Sequence, residues 1–364
     1  MSLNKNDCAE FTALPSPAIP RAARNHRFHC STLMCHPPTS ASYESSATIP
    51  NMASLSASYF NMDSVVLSPV TPDPFIPNSA NVFPKMIKCV NEAAWELWYF
   101  DSAAADGQSS LTVSFFRDAR ALKDGGWRVQ VLALWPDGTT WGDEFYFTES
   151  IVTQEGAQKL TSDARIQGIW QTRDIDASIR FTIEPDLAEA NIVFHVPGRI
   201  EGTLQLKNRV SGKIGLPSND LEALLCPEMY YLRPISLAHA NADITFEGSG
   251  MPITNSRFIE PLSEPKQQPL KLSLQHGNGG MDRCWSALSW PQLISESLHL
   301  RAKVGPYTLE VMRIISRRDQ GSKPHATARL WKDTSLICVA AQLTDPPTED
   351  AAYYLSPLPC RYGQ

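Results

Sequence analysis

Short runs of apolar residues, separated by turn residues, follow one another along most of the chain. In residues 128–135 (RVQVLALW) apolar side chains recur at alternate positions, and Gly-Gly and Pro-Asp-Gly stand on either side. Alternation with period two is typical of a strand with one buried face, and such Gly, Pro and Asp clusters are typical of turns. Long patterns of helical period are absent. The pattern therefore predicts an all-β fold.

The pattern also changes along the chain in a way that suggests domains. Residues 1–57 lack strand-like runs and are rich in Ser, Thr, Pro and Ala, so we predict a disordered leader. Turn-forming residues gather at about 206–224, which suggests a boundary there. We predict an N-terminal β-domain over residues 58–222 and a C-terminal β-domain over residues 223–364. Residues 253–275 contain three prolines and are predicted to form a long loop or an insertion.

Composition and charge exclude several classes of partner. The chain has 364 residues, 43% of them hydrophobic, which is enough for a large core. Its net charge of -6 argues against nucleic acid, because phosphate binding favours a basic face. There is no run of 18 apolar residues and no apolar signal core, so we expect no membrane span and a cytoplasmic location. The eight cysteines are dispersed and are expected to be reduced.

The common catalytic motifs are absent. The sequence contains no G-x-S-x-G, H-E-x-x-H or G-x-x-x-x-G-K-[ST], and no G-x-G-x-x-G after a strand. This disfavours hydrolases, phosphotransferases and nicotinamide oxidoreductases. His and Cys residues gather within 26–36, but their spacing matches no zinc module. We therefore predict no metal site and no cofactor.

Residues 93–101 (AAWELWYFD) place two carboxylates among four aromatic rings. As a strand this segment has two faces, one with Glu96, Trp98 and Phe100, the other with Trp95, Leu97, Tyr99 and Asp101. A carboxylate buried among aromatic rings needs hydrogen bonds, or its pKa rises. The spacing alone leaves two interpretations open: a core strand with a salt-bridged Glu96, or one side of a binding pocket.

A similar mixture occurs in residues 279–285 (GGMDRCW). If this segment is extended, Asp282 and Arg283 point to opposite faces, so each needs its own partner. An ion-pair network in a loop and a functional site are both compatible with this pattern.

Five segments taken together resemble a known family, the fungal lipocalin-like Diels–Alderases, which are related to hydroxyneurosporene synthase-like proteins. The segments are residues 75–85 (FIPNSANVFPK), 93–101 (AAWELWYFD), 125–135 (GGWRVQVLALW), 279–293 (GGMDRCWSALSWPQL) and 301–314 (RAKVGPYTLEVMRI). The resemblance implies two lipocalin-like β-barrel or sandwich domains packed together. It places the pocket between the two domains and inside the C-terminal barrel.

The resemblance also implies a reaction and a substrate. The reaction is an intramolecular [4+2] cycloaddition of a small-molecule polyene that carries a tetramic acid or pyrrolinone and comes from a polyketide–nonribosomal-peptide (PKS-NRPS) pathway. The product is a decalin or a cytochalasan isoindolone. A pericyclic reaction needs no nucleophile, metal or redox cofactor. It needs a cavity that holds the reacting ends together, and hydrogen-bond donors near the carbonyl group that activates the alkene.

The same resemblance indicates candidate residues. It gives Glu96, Gln130 and Trp285 as catalytic, with Gln130 on the same face of the sheet as Glu96, and it favours the Glu96–Trp98 face as the one that faces the cavity. Further candidates bind substrate: Trp98, Tyr99, Asp101, Trp135, Tyr231, Asp282 and Arg283.

Two other functions stay open at this point. One is a non-catalytic carrier of a hydrophobic metabolite. The other is a hydratase or isomerase of polyenes that uses Asp101 or Glu96 as a general acid. Members of the family continue with further strands beyond the equivalent of residues 340–354, so the resemblance also implies a C-terminal barrel without its last strands.

Overall fold

The protein is described here by a computed structural model, which covers residues 56–155, 164–248 and 269–340. The predicted leader lies outside these residues, apart from Ser56 and Ala57, which begin the first strand. The His and Cys residues within 26–36 also lie outside them.

The described residues form β-strands in two sheets with short helices between them. The strands of the large sheet are β1 (Ser56–Phe60), β2 (Trp95–Ala103), β3 (Ser110–Arg117), β4 (Trp127–Leu134), β5 (Thr140–Phe147), β6 (Glu149–Glu155), β7 (Arg165–Thr172), β8 (Ala177–Ile183), β9 (Glu189–Val196), β10 (Ile200–Asn208), β11 (Leu224–Cys226), β12 (Met229–Phe246) and β13 (Leu270–Ser286). Those of the small sheet are β14 (Ile294–Val304), β15 (Tyr307–Ser316), β16 (Pro324–Lys332) and β17 (Ser335–Ala340). The α-helices are α1 (Arg120–Asp124), α2 (Asp220–Ala223) and α3 (Trp290–Leu293), and 3₁₀ turns span Met62–Ser64, Arg173–Ile175, Pro185–Leu187 and Arg318–Gln320.

The large sheet curls around an aromatic core. Its strand order is β1-β6-β7-β8-β9-β10-β12-β13-β2-β3-β4-β5, with β11 paired to β12, and every pairing is antiparallel. The Trp98 ring on β2 lies 5.6 Å from Trp170 on β7, and Phe115 on β3 lies 5.0 Å from Phe181 on β8. These strands are not neighbours in the sheet, so the sheet must bend back on itself to bring the rings together. The result is a half-barrel with its core inside.

The small sheet packs on the outer face of the half-barrel. Met312 and Ile314 of β15 join Trp95, Tyr231 and Cys284 of the large sheet in one apolar cluster. Full burial of an apolar side chain of this size stabilises the fold by about 1.5–3 kcal/mol, so this cluster holds the two sheets together. The prediction of an all-β fold of two packed β units is confirmed.

The structure differs from the predicted organisation at the domain boundary and in part of the predicted loop. The large sheet continues through β12 and β13, across the expected boundary between residues 222 and 223, and the chain enters the small sheet only at Ile294. The division into domains stays a prediction. The predicted loop at 253–275 is wrong for residues 270–275, which begin β13, because Leu272 and Leu274 alternate with polar residues and are buried in the core. The expected loss of the last strands concerns residues after Ala340, outside the described residues.

Candidate functional site

Strands β2 and β13 lie side by side and carry different side-chain groups on their two faces. Their register pairs Glu96 with Trp285 and Tyr99 with Asp282. Directly opposed residues of an antiparallel pair lie on the same face of the sheet. Glu96 and Trp285 therefore face the inside of the half-barrel, whereas Tyr99 and Asp282 face the small sheet. Asp282 and its neighbour Arg283 lie on opposite faces, as the sequence predicted.

The inner face holds a buried ion-pair cluster around Glu96. The carboxylate of Glu96 is fully buried, and its Oε2 atom lies 2.5 Å from Nη2 of Arg283 while its Oε1 atom lies 3.4 Å from Nη1 of Arg117. Oε2 also accepts a hydrogen bond of 2.9 Å from the backbone N–H of Lys85. Protein donors thus occupy both oxygen atoms. Of the two interpretations of this segment, the geometry corresponds to a core strand with a salt-bridged glutamate.

The other inner-face candidates pack around this cluster. The Arg283 guanidinium lies 4.0 Å from the centre of the Trp98 ring, and Trp98 is fully buried against the aromatic core. Trp285 stacks on Tyr230, with ring centres 4.7 Å apart and an angle of 8° between the planes. Contrary to expectation, the Glu96–Trp98 face is the packed core of the half-barrel, and the small sheet packs on the other side of β2.

Burial shifts the pKa values of the cations in this cluster. It lowers the pKa of Arg117 to about 10, against the opposing effect of the Glu96 charge. It also lowers the pKa of Arg283, again opposed by Glu96. The pKa of Lys85 falls to about 8 because the ammonium is buried and because Arg283 carries a like charge nearby. The single carboxylate therefore sits among three desolvated cations.

Two predicted residues lie away from the Glu96 cluster. The register from β2 through β3 to β4 places Gln130 opposite Ser114 and level with Tyr99, on the outer face. The prediction that Gln130 shares a face with Glu96 is therefore wrong. The indole of Trp135 donates a hydrogen bond of 2.8 Å to the carbonyl of Lys271. Trp135 lies roughly 20 Å along the strand direction from the level of Trp98, at about 3.3 Å per residue.

The outer face of β2, β12 and β13 meets the small sheet in a group of polar side chains, which we call the inter-sheet cluster. It consists of Tyr99, Asp101, Tyr231, Arg233, Asp282, His299, Arg301 and Glu310. Four of the predicted substrate-binding residues, Tyr99, Asp101, Tyr231 and Asp282, belong to it.

Hydrogen bonds hold the carboxylates of this cluster. Oδ2 of Asp282 accepts a bond of 2.6 Å from the Tyr231 hydroxyl and lies 2.8 Å from Nε2 of His299. Oδ2 of Asp101 accepts a bond of 2.8 Å from Nε of Arg301. Arg301 also donates to Glu310 through Nη1. Asp282 and Asp101 thus each have one oxygen firmly bound, and Arg301 links the large sheet to the small one.

Several buried polar atoms of the cluster have no hydrogen-bond partner among the described residues. They are Oδ1 of Asp101, Oδ1 of Asp282, Nε and Nη2 of Arg233, and Nη2 of Arg301. Oδ1 of Asp282 lies 3.9 Å from Nε of Arg233 and 3.8 Å from Nη2 of Arg301, which is too long for a hydrogen bond. Buried polar atoms in native proteins are nearly always paired. Unused donors and acceptors at one buried point therefore indicate a site for a small polar group.

The pKa values of the two aspartates move in opposite directions. Burial raises the pKa of Asp101, although Arg301 and His299 oppose this shift. Burial also acts to raise the pKa of Asp282, but the hydrogen bond and charge of His299 and the charges of Arg233 and Arg301 outweigh it, so the pKa lies well below its usual value. Asp282 is accordingly ionised at neutral pH.

Gly280 makes room for the cluster. A Cβ atom at this position would lie 2.4 Å from Nη2 of Arg301 and 2.5 Å from the carbonyl oxygen of Ile235. The Arg301 guanidinium can therefore lie flat on β13 only where the chain has no side chain. At the edge of the cluster Tyr99 is half-buried, and the side chain of His299, whose ring centre lies 5.2 Å from that of Tyr99, is 23% exposed. At this edge the cluster meets solvent.

The sequence pattern did not identify four members of the cluster, three of which are basic. Arg233, His299, Arg301 and Glu310 were not among the predicted site residues. A signal exists in residues 298–303 (LHLRAK), where basic side chains alternate with apolar ones along β14. Such alternation marks one polar face of a strand, and in this strand that face is turned towards the large sheet.

A half-barrel and a second β-sheet thus enclose a buried cluster of polar and aromatic side chains, and small-molecule sites commonly combine these residue types. Residues 50–358 match the family model described as Diels-Alderase-like. The chain belongs to this family. The resemblance noted in the sequence is confirmed, and with it the prediction of an enzyme of the pericyclase class.

Individual relatives agree with this assignment. The chain is 41% identical over 295 residues to a Diels-Alderase of a fungus (Fungal sp., strain NRRL 50135), covering 78% of this chain and 69% of the relative. It is 38% identical over 291 residues to a Diels-Alderase of Fusarium heterosporum, covering 79% and 71%. The crystal structure of CghA with Sch210972 matches with a TM-score of 0.69 and 30% identity, over 82% of this chain and 74% of that one.

Two further observations concern the described residues only. None of their helices is long and apolar enough to cross a membrane. Among them no three His, Cys, Asp or Glu side chains are grouped as metal ligands would be.

Proposed function

We propose that this protein catalyses the stereoselective intramolecular [4+2] cycloaddition of a polyene attached to a tetramic acid or pyrrolinone. The substrate would come from a fungal PKS-NRPS pathway in the cytoplasm, and the product would be a decalin or a cytochalasan isoindolone. Membership of the Diels-Alderase-like family and the names of its fungal relatives support the reaction type.

The proposed location of the reaction rests on one observation, the unused and buried N–H groups of Arg233 and Arg301. As the new ring forms, negative charge develops on the carbonyl oxygen that activates the alkene. Fixed donors in a site without water stabilise this charge, and removal of one such donor typically costs about 10²–10³ in rate. In this proposal Arg233 and Arg301 bind the carbonyl oxygen, and Tyr99 and Tyr231 pack against the polyene.

The inner-face residues have a different part in the proposal. Glu96 and Arg283 connect β2 to β13 on the inner face of the sheet. Arg283 also donates bonds of 3.1 Å and 2.8 Å to the carbonyl oxygens of Leu97 and Cys284. Since Asp282 is the next residue on β13, this pair fixes its position. We therefore propose that Glu96 and Trp285 position the strand that carries Asp282. A role for Gln130 stays a prediction.

The decisive experiment is to incubate the purified chain with the linear precursor and follow the cyclisation rate and the endo/exo ratio. Arg233→Met should lower the rate at least tenfold, because it removes the unused donors Nε and Nη2. Since it also removes the ion pair with Asp282 at 3.9 Å, the rates are compared at a temperature at which thermal unfolding shows that the variant is folded. Arg318→Met, at an exposed position, is the matched control. If rate and ratio are the same with and without the wild-type protein, the proposal is wrong. Saturable tryptophan quenching without turnover would instead identify a carrier.

A second candidate function has one observation in its favour. Asp101 is buried, its pKa is raised by that burial, and its Oδ1 atom is unpaired, which are the properties of a general acid. A polyene hydratase or isomerase could use it. The two candidates differ in D₂O: an isomerase that protonates the polyene incorporates deuterium on carbon, and a cycloaddition does not. Loss of activity in Asp101→Asn together with incorporation would favour the second candidate.

A further inference from the structure

The hairpin that joins β14 to β15 ends in a tip with exposed apolar side chains. We infer that this tip and the basic residues beside it bind the surface of a membrane that contains anionic lipids. The contact would hold the protein at the membrane surface and needs no segment that spans the bilayer. This inference goes beyond the proposed function, and the binding does not depend on it.

The apolar part of the tip consists of Val304 and Tyr307, the last residue pair of the hairpin. They are 60% and 45% exposed. The two-residue turn Gly305-Pro306 connects them, and Gly305 has a φ of 57°, in the left-handed region that glycine adopts without strain. A Cβ atom at Gly305 would have no atom within 4 Å, so the tip projects from the surface. Tyrosine is common where proteins meet the membrane interface, because its ring is apolar and its hydroxyl is polar.

The exposed apolar surface continues on the neighbouring strand. Ile337 and Val339 of β17 are 56% and 50% exposed. The turn between β16 and β17 lies beside the tip, because Lys332 at the end of β16 pairs with Tyr307. Exposed apolar patches that are rimmed by polar residues mark sites of protein or membrane contact.

Basic side chains lie in a row next to the tip. Lys303 precedes Val304, and its Nζ atom donates a hydrogen bond of 3.2 Å to Oδ1 of Asn278. The strand register continues from Asn278 to His239 on β12 and from His239 to Lys207 on β10. Lys303, His239 and Lys207 are all exposed. Basic side chains of three strands therefore face solvent together at this end of the small sheet.

The positive charges in this row are close enough to act on one another. Burial lowers the pKa of His239, and nearby positive charges lower it further. These charges belong to Arg209, Lys303, His276 and Lys207. The acidic residues around the row are Glu189 opposite Lys207, Asp106 in the turn after β2 and Asp333 in the turn after β16. With Lys332, four Lys and Arg side chains outnumber these acids, in a chain whose net charge is -6.

This combination fits a lipid surface. A projecting tip can enter the headgroup layer, while lysine side chains lay their stems along apolar atoms and extend their ammonium groups to the phosphates. Each Lys or Arg near an anionic membrane surface raises the affinity by roughly fivefold. The two lysines that flank the apolar pair, Lys303 and Lys332, can reach the lipid headgroups when Val304 and Tyr307 are inserted.

Membrane contact at the tip would also bring hydrophobic ligands close to the inter-sheet cluster. Val304 follows Arg301 by three residues on β14, which is about 10 Å at about 3.3 Å per residue. Transfer of an apolar chain from water to hydrocarbon is favourable, so polyenes gather in membranes. The tip would therefore hold the cluster beside the phase in which such a ligand is concentrated.

The test measures how much of the full chain floats with lipid vesicles. Vesicles of phosphatidylcholine with about 30% phosphatidylserine are compared with vesicles of phosphatidylcholine alone, at about 0.1 M and about 1 M salt. We expect the partition coefficient at low salt to be at least about tenfold higher for the anionic vesicles. High salt should reduce this difference, because it screens the lysine and arginine charges.

Three variants locate the contact. Val304→Ser combined with Tyr307→Ser should lower the partition coefficient at least about tenfold, because the apolar side chains that enter the lipid are lost. Lys303→Gln combined with Lys332→Gln should weaken binding to the anionic vesicles and leave binding to phosphatidylcholine unchanged. Ile175→Ser is the matched control, since Ile175 is 67% exposed in the turn between β7 and β8, and it should bind as the wild type does. Thermal unfolding checks that each variant is folded.

The inference is overturned if the wild type floats with neither kind of vesicle, or if the tip variant binds as well as Ile175→Ser. It is also overturned if soluble glycerophosphoserine displaces the chain from the vesicles, because the site would then bind a free headgroup. A wild-type dimer that the tip variant converts to a monomer would assign the tip to a contact between two copies and would overturn it too. Should the double tip variant not fold, Tyr307→Ser alone and the lysine variant decide the question. The assay contains no polyene, so a failure of the proposed function leaves its result unaffected.

Discussion

The buried ion pair of Glu96 gives the sharpest test of the architecture. Glu96→Gln keeps the shape of the side chain and one oxygen that can accept from the Lys85 N–H, but it removes the only carboxylate next to Arg117 and Arg283 among the described residues. Removal of one partner of a buried pair typically costs about 3–5 kcal/mol, because the other charge is left uncompensated.

The structure places this case at the lower end of that range. Arg117 keeps bonds of 2.8–3.0 Å to the side chains and carbonyl oxygens of Ser58 and Ser150. Arg283 keeps its bonds to the carbonyl oxygens of Leu97 and Cys284. In Glu96→Gln the guanidinium groups of Arg117 and Arg283 thus keep these hydrogen bonds and lose only the negative charge of Glu96. We expect the free energy of unfolding to fall by about 3 kcal/mol.

The assay is urea unfolding at pH 7, with the midpoint and slope read from the same curve. A loss of about 3 kcal/mol moves the midpoint by about 1 M if the slope is about 3 kcal/mol per M. Glu184→Gln is the matched control, because Glu184 pairs with Arg165 at 2.8 Å where the two side chains are 28% and 44% exposed. Such a pair contributes about 0–1 kcal/mol. If the two variants lose the same amount, or Glu96→Gln loses less than about 1 kcal/mol, the inner cluster does not hold the sheet in the way described.

Single residues support three further predictions. Gly280→Ala should destabilise the fold by about 1–3 kcal/mol and lower turnover, because the new Cβ displaces Arg301. Unchanged unfolding free energy and unchanged kinetics would contradict the close contact between position 280 and the Arg301 guanidinium. Burial lowers the pKa of Lys85 from 10.5 to about 8, so the folded state disfavours the charged amine. The unfolding free energy of the wild type relative to Lys85→Met should therefore rise between pH 8 and 10.5, by up to about 3 kcal/mol. A difference that does not change with pH would rule this out. The pKa of Asp282 is depressed in the folded state, so its ionised carboxylate contributes fully to the free energy of unfolding above about pH 4. This contribution is lost as the pH falls through the folded-state pKa, so the difference in unfolding free energy between the wild type and Asp282→Asn should narrow below about pH 4. A difference that stays constant with pH would refute this prediction.

Local patterns were enough to predict the strands. The alternation in residues 128–135 became β4, and the dense aromatic segment at 93–101 became β2. The separation of Asp282 from Arg283 onto two faces followed from period two alone. These features depend on residues that are close in the sequence, and each strand fixes its own two faces.

Relations between distant strands were not predictable in the same way. The face of Gln130 relative to Glu96 depends on the register of two successive strand pairs, which the lengths and conformations of the intervening turns determine. The pairing of Asp101 with Arg301 joins residues 200 positions apart. A single sequence shows that both strands have a polar face but not that the two faces meet. For the same reason, Glu96 could not be identified as an ion-pair partner of Arg283 from spacing alone.

The crowded surroundings of Gly280 limit how this part of the chain can be changed. A Cβ at position 280 would lie 2.4 Å from Nη2 of Arg301 and 2.5 Å from the backbone carbonyl oxygen of Ile235. Shortening Arg301 would remove the first of these contacts and leave the second, because the carbonyl oxygen belongs to the neighbouring strand. Directed evolution that changes one position at a time would therefore discard every residue but glycine at 280. Libraries that vary 280 and 301 together should retain glycine at 280 as well, since no side chain at 301 moves the backbone of Ile235.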